Sequence, residues 1–83
     1  MTWKVQYNEA YEVWCLRHRP TLDEELDVVA WMVDCEPNGP PTADPDEKRN
    51  RRAPGPSGAE VLFRTFDTPG EDPAGYMIVL HLG

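Results

Sequence analysis

TLDEELDVVAWMVDCEPNG, residues Thr21 to Gly39, is the longest stretch of this chain with a clear period, and its reading organises everything around it. Thr21 and Glu24 have the capping-box spacing, in which the Thr hydroxyl and the Glu carboxylate each satisfy a backbone N–H that a helix start leaves unpaired. Leu22, Leu26, Val29, Ala30 and Val33 then recur at i, i+4, i+7, i+8 and i+11. That spacing predicts a continuous apolar face turned to the core, with Asp23, Glu24, Asp27 and Asp34 on other faces. Trp31 lies off this stripe, beside Val28, Met32 and Cys35, so the helix is apolar almost all round. Either the fold covers both sides, or Trp31 and Met32, with the carboxylates of Asp27 and Asp34, form a surface for a protein partner. Asn38-Gly39 followed by Pro40-Pro41 ends the helix, because Gly permits a left-handed exit and proline cannot continue the ladder.

Working toward the N-terminus, TWKVQY (residues 2–7) alternates, with Trp3, Val5 and Tyr7 on one side, which predicts a half-buried strand. Asn8 is the expected cap of a short helix whose stripe is Tyr11, Trp14 and Cys15 and which Pro20 closes. Toward the C-terminus, EVLFRTF (60–66) and YMIVLHL (76–82) are rich in branched and aromatic residues, and DTPGEDPAG between them is turn chemistry. They read as a hairpin. Residues 40–58 show no apolar period and are rich in Pro, Gly and Arg, so a flexible loop is expected there. The sum is a single α+β domain over residues 1–83, in the order β-α-α-(loop)-β-β. Its three-stranded sheet, antiparallel or mixed, packs on two helices.

The composition narrows the function. A chain of 83 residues buries a small core, and its formal charge of −7 repels a nucleic-acid backbone while suiting a basic protein partner. The exception is local: Lys48, Arg49, Arg51 and Arg52 fall within five positions. Such a cluster is read either as a solvated loop, as an RNA contact, or as the dock of an acidic protein. Two cysteines are too few for a disulfide scaffold, and the opening residues lack a charged leader followed by an apolar core. A reduced, cytoplasmic protein is the expectation. Val28–Val33 is far shorter than the roughly 20 apolar residues that span a bilayer. No membrane association is expected, no cofactor is called for, and Cys15, Cys35, His18 and His81 lack the paired spacing of a metal site.

In the strand EVLFRTF, Arg64 shares a face with Leu62 and Phe66, so its guanidinium needs an anion, a carboxylate or the sheet edge. His81 is expected on the face of Met77 and Val79, where a satisfied structural histidine competes with a proton-transfer role.

MTWKVQYNEAYEVW, TLDEELDVVAWMV and the NGPP that follows resemble the N-terminal half of RelE/HigB-like toxins, particularly the phage-derived HigB group of actinobacteria. VLFRTFD and IVLHLG look like that family's closing strands, so the resemblance touches about two thirds of the chain. It implies a toxin of a toxin–antitoxin module, an mRNA endonuclease acting on the ribosome, with an antitoxin as protein partner. Arg64 would then stabilise the phosphorane charge, His81 would transfer a proton, and Lys48, Arg49, Arg51 and Arg52 would hold RNA. The family places a further strand where this chain has DPDEKRNRRAPGPSG, which has no strand pattern. A second reading stays open: a non-catalytic small acidic phage or prophage protein that binds and inhibits a host protein through its second helix.

Overall fold

In the computed structural model, which describes residues 2–83, the alternation of the opening segment becomes strand β1 (Trp3–Gln6). Helix α1 (Asn8–His18) follows at once. Its cap position is Tyr7, without a side-chain hydrogen bond, and Asn8 is already the first helical residue rather than the cap. Arg19, at φ 44°, turns the chain out of α1 ahead of Pro20. Helix α2 (Leu22–Asn38) starts on the expected capping box: Thr21 Oγ1 accepts from the Glu24 amide at 3.3 Å, and Glu24 Oε1 accepts from the Thr21 amide at 3.0 Å. It ends at Gly39, whose φ of 83° strains any side chain.

The sheet has five strands rather than three, in the order β1-β5-β4-β3-β2. Strands β4 (Glu60–Asp67) and β5 (Gly75–Leu82) form the expected antiparallel hairpin, and β1 joins the outer side of β5 in parallel. The two additional strands come from the segment read as a flexible loop. Residues 40–58 supply β2 (Asp44–Pro45) and β3 (Arg51–Pro54), a short antiparallel hairpin whose β3 pairs with β4. A strand therefore does occupy DPDEKRNRRAPGPSG. Its apolar pattern is a single residue, Ala53, which is 2% exposed opposite Val61. An edge hairpin needs little more apolar area than that, because ladder hydrogen bonds to β4 supply the rest.

Both helices lie on one face of the sheet. Ala10 and Trp14 of α1 and Val28, Met32 and Cys35 of α2 pack on Val61, Phe63, Met77, Val79 and Leu82. Gly75 permits the close approach of the first strand, since a Cβ there would lie 2.5 Å from the Trp3 ring. The shortest dimension of the domain, 19 Å, accommodates one sheet and one helical layer. Among the described residues, no helix packs on the second face of the sheet.

The core uses the side of α2 opposite to the one expected. Val28 and Met32 are fully buried, whereas Leu22, Leu26 and Val33 are 68%, 57% and 49% exposed. A helix that is apolar almost all round offers two stripes with the same period. The fold buries the one carrying Met32, with Trp31 packed at its margin.

Candidate functional site

The residues singled out for RNA chemistry distribute over the second face of the sheet and the β2–β3 hairpin. Arg64 pairs with Ile78 across β4 and β5, on the face away from the helices. His81 was expected beside Met77 and Val79, but the register shifts by one residue between Leu62 and Phe63. Val79 is paired with Phe63 and His81 with Leu62, so Leu80 is the extra residue of a β-bulge. Alternation breaks there, and His81 moves to the face that carries Arg64. The two are diagonal neighbours on that face, each beside the other's paired residue.

Arg64 is committed within the protein. Its Nε and Nη2 donate to Asn50 Oδ1 at 3.1 and 2.9 Å, and Nη2 also donates to the Lys48 carbonyl at 2.9 Å. The partner is thus a neutral amide and a backbone oxygen, in place of the anion, carboxylate or sheet edge that its position among apolar residues suggested. The clamp holds a tight turn in which Lys48 and Arg49 adopt φ values of 56° and 67°. Left-handed backbone costs a non-glycine residue about 1–2 kcal/mol, and Arg64 offsets part of that at this turn.

The basic cluster does not form one patch. Lys48 and Arg49 sit at the exposed hairpin tip, while Arg51 and Arg52 alternate to opposite faces of β3, opposite Phe63 and Leu62. Arg52 is paired with Asp46 at 3.1 Å and Glu60 at 2.9 Å. A shallow hollow of about 180 Å³ beside His81 is lined by Arg52, Glu60, Leu62 and Gly83, without Arg64.

The residues singled out for a partner also separate. Met32 is fully buried and Trp31 packs against the core, so the Trp-and-Met side of α2 faces inward. Asp27 and Asp34 remain on the surface, where Asp27 accepts from Ser57 Oγ at 3.4 Å and Asp34 accepts from Asn38 Nδ2 at 3.1 Å. What α2 presents to solvent is the stripe read as core: Leu22, Leu26 and Val33, with Val29 partly exposed between them. The signal for this inversion was present in the all-round apolar character of the helix. It lacked any indication of which side meets the sheet.

Between the helices, Tyr11 Oη and Cys15 Sγ both reach Glu25 Oε1, at 3.3 and 3.6 Å. Burial and these neighbours push the Tyr11 phenol up to about 12, and burial pushes the Cys15 thiol up as well. Burial, with the charge of Asp34, raises Cys35 to about 11. Both cysteines are unbridged, and both are protonated and weakly nucleophilic at neutral pH. Among the described residues no group of three or more His, Cys, Asp or Glu side chains converges to hold a metal ion, and no helix is long and apolar enough to cross a membrane. Comparison of the chain with protein-family models, with curated proteins and with solved structures finds no match.

Proposed function

We propose that this chain is a non-catalytic binding protein that engages a protein partner through the outer face of α2. The observation that carries the reading is the exposed line of Leu22, Leu26 and Val33, with Val29 half-buried between them, on a helix whose opposite side already supplies the core. Aligned over three turns, these aliphatic side chains make one contiguous apolar patch, which marks an interaction surface where the same residues scattered singly would not. The negative charge of the chain suits a basic partner. A host protein or an antitoxin in a reducing cytoplasm fits these features, with both thiols remaining free. The test is co-purification from cells expressing the tagged chain. The partner is retained by wild type and by Arg64→Ala, and is lost from Leu26→Asp, whose circular dichroism stays that of the wild type. Equal retention by Leu26→Asp rejects this surface.

A second reading draws on the bulge that sets His81 on the face of Arg64. On it the chain is a RelE/HigB-like mRNA endonuclease: Arg64 stabilises the phosphate charge, His81 moves the proton, and Lys48 and Arg49 at the hairpin tip hold the backbone. The engagement of Arg64 by Asn50 and Lys48 weighs against it. Induced expression separates the two readings. Growth arrest with cleaved mRNA, relieved by His81→Ala, supports the nuclease. Intact mRNA, with arrest relieved by Leu26→Asp alone, supports binding.

A further inference from the structure

The outer face of α2 also determines what kind of element fits it. Leu22, Leu26, Val29 and Val33 follow one another at intervals of four, three and four residues. At about 100° per residue this keeps the four side chains in one narrow line, roughly 16 Å long. Alternating steps of three and four form a seam into which the side chains of one further helix interlock at a shallow crossing angle. An extended segment fits poorly, because the amides and carbonyls of α2 are already bonded along the helix and offer a strand no ladder. A helix brings its own backbone satisfied.

The flanks fix the sign of the partner. By the same helical geometry, Asp23 and Asp34 lie on one side of the line and Glu36 on the other, while Glu25 is turned to Tyr11 and Cys15 of α1 and Asp27 to Ser57. The helix has six carboxylates and no Lys or Arg. A second copy of this chain would oppose carboxylate to carboxylate along the whole seam, on molecules that each carry −7. A helix with Lys or Arg beside its apolar line meets opposite charge on both sides. We infer that the outer face of α2 receives one cationic amphipathic helix of a partner protein, its aliphatic side chains seated among Leu22, Leu26, Val29 and Val33 and its cations against the flanking carboxylates. This rests on the binding reading above and adds the class of partner.

The probe is a synthetic three-heptad peptide with leucine at the two seam positions and lysine on both flanks, beside the same peptide with glutamate on the flanks. Each is titrated into the full chain labelled with nitrogen-15. The inference expects amide shifts confined to α2, binding of the lysine peptide at least about tenfold tighter than that of the glutamate peptide, and weakening as salt is raised. Asp23→Lys combined with Asp34→Lys weakens the lysine peptide and tightens the glutamate peptide, opposite changes that loss of folding cannot produce. Equal binding of the two peptides, no shift in α2, or shifts that grow with protein concentration alone and so report a second copy, each overturn it. Should the lysine peptide fail while Leu26→Asp still releases the co-purified partner, the cationic helix is rejected and the binding surface stands. Should Leu26→Asp release nothing, the surface itself is rejected.

Discussion

Removing the Arg64 side chain tests whether that residue belongs to the fold or to a reaction. Arg64 donates three hydrogen bonds to two acceptors, Asn50 Oδ1 and the Lys48 carbonyl. Each acceptor it satisfies is worth about 1 kcal/mol net when donor and acceptor are only partly shielded from water, so Arg64→Ala is expected to cost about 2 kcal/mol. In a domain of this size that lowers Tm by roughly 8–16 °C. Arg64→Lys should recover less than half of the loss, because a single ammonium cannot reproduce the planar fork on Asn50. Asn50→Ala should be non-additive with Arg64→Ala, with a coupling of about 1 kcal/mol in urea denaturation. Arg49→Gly should raise stability by about 1 kcal/mol, since glycine adopts the left-handed conformation of position 49 without penalty. A fully stable Arg64→Ala, or strict additivity with Asn50→Ala, would refute the clamp and return Arg64 to the candidates for chemistry.

The two faces of α2 predict a contrast: Met32→Ala should cost about 2–5 kcal/mol, while Leu26→Ala should change stability by less than about 0.5 kcal/mol, both read from denaturation midpoints. Gly75→Ala should destabilise the domain by about 1–3 kcal/mol through overpacking against Trp3, measured in the same way, with the near-ultraviolet dichroism of the tryptophans altered. The hydrogen bonds from the Thr21 amide and hydroxyl hold Glu24 below the usual carboxylate range. A lowered folded-state value contributes stability above the ordinary carboxylate pKa, and that contribution is lost as pH falls through the lowered value. Thermal melts should therefore show Glu24→Gln less stable than wild type near neutral pH, and the difference should vanish in strong acid.

Those parts of the fold fixed by local chemistry were legible in the sequence. TWKVQY alternates as a strand must, Thr21 and Glu24 stand at the spacing their reciprocal bonds require, and the turn residues of DTPGEDPAG leave only a hairpin for the strands beside them. Parts fixed by tertiary choice were not. Helix α2 has two apolar stripes of equal period, and only the sheet decides that Met32 is buried and Leu26 is not. Arg51 to Pro54 has one residue of strand character, and it is a strand because β4 offers an edge to pair with. One extra residue in β5, Leu80, reverses the face of His81, and a bulge leaves no mark on an apolar run. The candidate site was affected most, since Arg64 was expected to need an anion, a carboxylate or the sheet edge and instead holds a turn, while the surface now proposed for binding was read as core.

Site-specific photo-crosslinking in the cells of origin tests the central claim most directly. A photoreactive side chain at Leu26 or Val33 is compared with one at Tyr76 or Ile78 on the second face of the sheet. The account predicts one discrete protein adduct from the two α2 positions and none from the sheet. Adducts from the sheet positions alone, whether to RNA or to protein, would contradict it.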